Sequence, residues 1–111
     1  MNHENNIARL AGILKKNPDD SFAKFALALE LLKRDDVSKA RLLFESIRQQ
    51  DPGYLGVYYH LGKLYEKTSL HERAVETYRE GIELAAKTGE QKTLLELNEA
   101  LLQLIPEQDH E

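Results

Sequence analysis

The chain has 111 residues, 41% of them apolar and 31% charged, and its 15 basic and 19 acidic side chains leave a net charge of −4. That length supports one small domain with a single core, and the acidic balance excludes the clustered positive charge that nonspecific nucleic-acid or anionic-membrane binding requires. With no cysteine there is no disulfide framework, thiolate nucleophile or zinc finger.

The start, MNHENNIARL, lacks the basic and long apolar regions of a secretory signal. The longest uncharged run follows Asp51 and contains Pro52, Gly53 and Gly56. Nothing approaches a membrane helix of roughly twenty apolar residues. The expected location is the cytoplasm.

In chain order, apolar residues recur at helical spacing. Ile7, Leu10 and Leu14 share one face of a first helix, predicted over residues 4–16. After Pro18, the capping side chains Asp19, Asp20 and Ser21 start a second helix, which ends in Lys33-Arg34-Asp35-Asp36. Asp36 caps a third helix, running to about Gln50 and stopped by Asp51-Pro52-Gly53. A fourth covers Leu55 to Lys67, with a turn at Thr68-Ser69, and a fifth covers His71 to Lys87. Gly89 is placed as its left-handed cap. A sixth runs from about Glu90 to Leu104, and the polar tail over 106–111 is expected to fray. No stretch alternates as a strand does, so the fold class is all-α, and the short connections make consecutive helices antiparallel neighbours.

Pro18 and Pro52 stand 34 residues apart, each after a polar pair. Shifting the chain by that period places Leu27 on Leu61, Ala28 on Gly62, Leu31 on Tyr65, Ala40 on Ala74 and Phe44 on Tyr78. Small residues meet large ones at these positions, and one such pair cannot bury both of its faces, so stacking is required. On these residues the sequence resembles the tetratricopeptide repeat (TPR) family. The second unit, residues 55–88, carries the resemblance best: Tyr58, Leu61, Gly62, Tyr65, Ala74, Tyr78 and Gly81 match the family pattern. It departs at Ala86, where the family has proline. The first unit, 21–54, is degenerate, with Lys24 for the aromatic, Leu31 for the tyrosine and Ile47 for the second small residue. The resemblance implies a TPR superhelix fragment in one domain, capped by the first helix and by a last helix over 90–105. The chain as a whole is similar to small bacterial proteins with one or two such repeats.

Chemistry is sparse. His3, His60, His71 and His110 never share a helical turn. His60 and His71 are read as one groove-side and one turn-side histidine, with no metal site. Glu72, Glu76, Glu80 and Glu83 form a stripe opposite the apolar face of the fifth helix, interleaved with Arg73 and Arg79, and are read as solvated. No phosphate loop, nucleophile elbow or triad is legible. The expectation is a protein that is not an enzyme and uses no cofactor.

The resemblance implies partner binding on the first helix of each unit: Phe22, Phe25, Leu29, Leu32 and Lys33 in the first unit, Gly56, Tyr59, Lys63, Glu66 and Lys67 in the second. Phe25, Leu29 and Leu32 also form a seam distinct from Leu27, Ala28 and Leu31, so the second helix is apolar on two sides. Phe25 and Leu29 replace the lysine and asparagine with which some family members clamp a C-terminal carboxylate. The expected ligand is therefore a peptide or partner helix with an apolar anchor, its acidic flank meeting Lys63 and Lys67. The alternative comes from the last helix, where Leu94, Leu95, Leu97, Leu101, Leu102, Leu104 and Ile105 spread over about half the circumference. That helix covers Phe25, Leu29 and Tyr59, mediates a homodimer, or leaves the groove open.

Overall fold

The computed structural model describes residues 3–105, with side chains from Asn6 onward. The expected frayed tail, 106–111, lies outside the described residues. Within them the chain is helical throughout: α1 His3–Lys16, α2 Ser21–Lys33, α3 Val37–Gln50, α4 Gly56–Lys67, α5 His71–Thr88 and α6 Gln91–Leu104. Every predicted helix is present, with ends within about two residues of the sequence-based limits. The chain divides into two compact units, Met1–Val57 and Tyr58–Glu111, and each is described by itself.

Local chemistry explains the helix starts. The Asp20 carboxylate accepts the Ala23 N–H at 3.0 Å and Asp36 accepts that of Lys39 at 3.4 Å, satisfying donors that a helix start leaves orphaned. The helices α5 and α6 begin at Leu70 and Glu90 without a side-chain cap.

The 34-residue period recurs in the backbone itself. At the end of α2, the Asp36 N–H reaches the Leu31 carbonyl and the Asp35 N–H reaches that of Leu32, each at 2.9 Å. At the end of α4, Leu70 bonds Tyr65 at 2.8 Å and Ser69 bonds Glu66 at 3.0 Å. This is the Schellman closure, which needs one left-handed residue. Asp35 and Ser69 supply it with φ of 62° and 64°. Gly89 closes α5 in the same way with φ 75°, as its place in the sequence predicts.

In the first unit α2 packs against both α1 and α3. Its Leu27, Ala28 and Leu31 seam is buried, together with Ala40, Phe44 and Ile47 of α3 and Leu10 of α1. The Phe25 ring lies 5.8 Å from that of Phe44 and 5.3 Å from that of Tyr54, centroid to centroid. In the second unit α4 and α5 approach where a side chain is missing. A Cβ on Gly62 would meet the Tyr78 ring, and one on Gly81 would lie 2.6 Å from the Cβ of Tyr58 and 3.0 Å from Leu97 Cδ1 of α6. Such separations are below van der Waals contact, so both positions admit only glycine at this helix spacing.

Lys24 stands where the second unit has Tyr58, and it is buried. Its ammonium donates to Ser46 Oγ at 2.8 Å and to Gln50 Oε1 at 2.7 Å. The Gln50 amide in turn donates to the Asp19 carbonyl at 2.9 Å and to Ser21 Oγ at 3.1 Å. This polar network ties α2 to the C-terminal end of α3 and to the α1–α2 connection. In the sequence Lys24 stands out only as a departure from an aromatic position. The available signal was Ser46 and Gln50, one turn apart on the facing helix. Among the described residues no buried side-chain nitrogen or oxygen lacks a hydrogen-bond partner. Thr77, fully buried, donates to the Arg73 carbonyl at 2.7 Å.

Candidate partner-binding faces

On α4, positions 59, 63, 66 and 67 follow each other at helical steps, so their side chains share one flank. The Lys63 ammonium sits 5.7 Å from the centroid of the Tyr59 ring and 3.8 Å from Glu66 Oε2. The same Glu66 oxygen accepts the hydroxyl of Tyr78 from α5. Burial, then the hydrogen bond and charge of Glu66, hold the Tyr78 phenol well above its ordinary pKa. Lys63 retains 41% side-chain exposure and Glu66 27%, so a cation–π contact and an ion pair here are each worth at most about 1 kcal/mol. Their consequence is geometric: Tyr78 fixes Glu66, Glu66 fixes Lys63, and Lys63 lies over Tyr59. Tyr59 also meets the His60 ring edge-on at 5.6 Å. His60 is half-buried, which lowers its pKa below 6.5. Lys67 is exposed at the end of α4.

On α2 the corresponding positions are apolar. Phe22 is 71% exposed. Phe25, Leu29 and Leu32 are half-buried, and Lys33 is exposed with its ammonium 3.4 Å from Glu30. Phe25 has a packing role the sequence did not reveal, because Phe44, Tyr54 and the backbone at Gly56 close around its ring. One period apart, Phe25, Leu29, Leu32 and Phe44 in the first unit answer to Tyr59, Lys63, Glu66 and Tyr78 in the second. The same four positions are wholly apolar in one unit and a connected polar cluster in the other. The Tyr78–Glu66 tie escaped sequence reasoning because its partners lie twelve residues apart on different helices.

The remaining chemistry is dispersed. Glu72, Glu76, Glu80 and Glu83 are all exposed on α5, as predicted for a solvated face. His71 is exposed at the start of α5, while His110 and the side chain of His3 lie outside the described residues. Among the described residues no three histidine, aspartate or glutamate side chains gather as a metal site would require. No helix among them is long and apolar enough to cross a membrane.

Helix pairs that repeat every 34 residues, with small-to-large contacts inside each pair, α1 packed on α2 and α6 packed on α5, define a helical-repeat protein. Comparison with known proteins specifies which. The tetratricopeptide repeat family model matches residues 31–97. A tetratricopeptide repeat domain protein from Salinibacter ruber, solved by NMR in solution, is 49% identical, with 78% of this chain and 88% of that chain covered and a TM-score of 0.74. Its crystal structure gives 49% identity, 77% and 96% coverage and a TM-score of 0.74. The TPR2B domain of yeast Sti1, in a complex with pHsp70, shares the fold at 16% identity, with 92% and 82% coverage and a TM-score of 0.83. No curated protein matches the chain. The chain belongs to the tetratricopeptide repeat family.

Proposed function

We propose that this chain is a non-catalytic protein-binding module, an adaptor or scaffold of the cytoplasm, whose first-type helices α2 and α4 present the partner-facing side chains. The observation that carries this reading is the Tyr59–Lys63–Glu66–Tyr78 cluster. It holds an aromatic face and a cation in a fixed, part-exposed arrangement, and a preordered anchor loses little entropy when a ligand docks. On α2, Phe22 is exposed and Leu29 and Leu32 are half-exposed, offering apolar surface. A peptide or helix with an apolar or aromatic anchor and an acidic neighbour fits this chemistry. The neighbour from yeast is itself in complex with pHsp70, which supports the idea that this architecture accepts a protein segment.

The test is affinity capture from the native lysate with the full chain and with the double variant Tyr59→Ala, Lys63→Glu, followed by identification of the captured protein and measurement of its affinity. The expected result is a partner whose binding falls by roughly tenfold or more in the variant, equivalent to 1.4 kcal/mol, while the melting temperature stays close to that of the parent. Equal recovery by a folded variant removes the α4 flank as the site.

A further inference from the structure

The helix α6 keeps one face out of the packing of its own unit. Leu97 lies against Gly81 of α5 and Ala100 is buried, whereas Leu95 and Leu102 on the other side are 68% and 64% exposed. The two leucines stand two turns apart in one stripe, continued by Gln91, Asn98 and Ile105 at helical steps. Lys92 and Glu99, also two turns apart and both exposed, run along one flank of that stripe. Leu94 and Leu101, both half-buried, run along the other. A further helix of the repeat is not the cover this face is built for. Leu95 holds the place of the fully buried Leu61 of α4, but Glu96 holds that of Gly62, where a Cβ would already meet the Tyr78 ring. A helix packed on α6 as α5 packs on α4 would collide with the Glu96 side chain and bury its charge. The residues after Ile105, PEQDHE, contain no large apolar side chain to cover the leucines.

What this face does match is itself. A two-fold axis across two antiparallel α6 helices brings each flank against the same flank of the other copy. Lys92 and Glu99, one cation and one acid, then meet as two equivalent pairs, Lys92 of each copy with Glu99 of the other. The register that allows this sets Leu95 level with Asn98 of the second copy. In it the leucines interleave along the seam: Leu102 of the second copy, Leu95 of the first, Leu95 of the second, Leu102 of the first, each about one turn from the next. Each large side chain thus falls between two of the other helix, as in helix pairs that bury an apolar stripe. On the opposite flank the remaining surfaces of Leu94 and Leu101 meet. A parallel pair would instead set the charged flank against the flank of Leu94 and Leu101, leaving the charges on apolar surface. We infer that two copies of this chain associate antiparallel through α6, with Leu95 and Leu102 forming the seam and Lys92 and Glu99 the reciprocal ion pairs. The same patch serves both copies, so the contact is isologous and closes at two. It does not rest on the proposed partner-binding role of α2 and α4.

A seam between two 14-residue helices is small, and small interfaces associate weakly, so the test is sedimentation velocity of the full chain at concentrations up to about 1 mM. The parent is expected to pass from monomer to dimer and to stop there. High salt is expected to shift it back to monomer, because the ion pairs are exposed and screened. Lys92→Glu alone and Glu99→Lys alone each turn both ion pairs repulsive and are expected to weaken dimerisation by about tenfold or more. Mixed one to one, these two variants are expected to form a heterodimer, since one copy then carries two acids where the other carries two lysines. The leucine variant Leu95→Asp, Leu102→Asp is expected to stay monomeric. A parent that is monomeric throughout, a mixture that associates no better than its components, or a leucine variant that still dimerises overturns the inference. Growth beyond the dimer overturns it too, because it shows a contact between two different faces. Helical melting transitions confirm that the variants are folded. If the leucine variant has lost its transition, Leu95→Ser, Leu102→Ser replaces it under the same expectation, and the mixing result of the two charge variants stands by itself.

Discussion

Tyr58 and Gly81 meet so closely that a methyl group on residue 81 would lie 2.6 Å from the tyrosine Cβ. The same two register positions in the first unit hold Lys24 and Ile47, both buried. A wide side chain on the first-type helix is thus matched by none on the second-type helix in one unit. In the other unit a slender chain is matched by a branched one. Each unit fills the space between its helices with a different pair of side chains, consistent with the close packing of protein interiors.

Three glycine-to-alanine changes separate this packing from helix propensity. In an open helical position, alanine is more favourable than glycine by about 0.8–1.0 kcal/mol. Gly12→Ala is therefore expected to raise the melting temperature. Gly62→Ala and Gly81→Ala are expected to lower it, with overpacking of about 1–3 kcal/mol outweighing the propensity gain. Gly81→Ala is the less tolerant change, because the atom it strikes lies next to the Tyr58 backbone, whereas at Gly62 a ring can tilt. Thermal melts of the three variants check the order.

The Lys24 network predicts a large effect from a residue near the surface. Gln50→Ala removes one of the two acceptors of a buried ammonium and should cost about 1.5–3 kcal/mol, the range for hydrogen bonds to charged groups. Lys24→Met keeps the aliphatic stem and removes the charge, and is expected to cost less than Gln50→Ala. Urea midpoints at constant m-value give the comparison. A Gln50→Ala variant as stable as the parent would show that the network contributes nothing.

Two helices end on non-glycine residues in the left-handed region, which costs about 1–2 kcal/mol for most side chains. Ser69→Gly is expected to stabilise by about 1 kcal/mol, and Asp35→Gly by less, since aspartate tolerates this conformation. Both positions are exposed, so little packing is lost. The measurement is the shift in melting temperature of each single variant.

The pH dependence follows from His60. Burial lowers its folded pKa below 6.5, so below that value the unfolded chain binds the proton more readily than the folded one. Its neutral form contributes full stability above 6.5, and that contribution is lost as pH falls from 6.5 through the lowered folded value. Tyr78 acts at the other end: its raised folded pKa preserves stability below 10 and loses it as pH rises beyond 10. Replacing His60 with glutamine should flatten the acid limb of a urea-midpoint profile and leave the alkaline limb unchanged. An unaltered acid limb would assign the loss to other groups.

Much of the fold was legible without coordinates. The 3.6-residue apolar period, the capping aspartates and the turns at Lys33–Asp36, Thr68–Ser69 and Gly89 act within a few residues, so local chemistry fixes the six helices and their ends. The 34-residue shift fixes which helices pair and which small residues meet which large ones. The α4 positions proposed to face a partner were legible as positions, but not as a cluster.

What only the tertiary structure decided are the pairings between residues distant in sequence. Lys24 finds Ser46 and Gln50 because antiparallel α2 and α3 bring opposite ends of their sequence together. Tyr78 finds Glu66 in the same way across α4 and α5. Phe25 became part of a ring cluster with Phe44 and Tyr54, although its spacing alone described a free seam. Periodicity states which side of a helix is apolar. It does not state which neighbour covers that side, because cover depends on the distance and rotation between helices, and those are set by side-chain volumes on both partners at once. For the same reason the breadth of the apolar stripe on α6 was visible in the sequence, and only the structure showed that Leu97 turns inward while Leu95 and Leu102 face solvent.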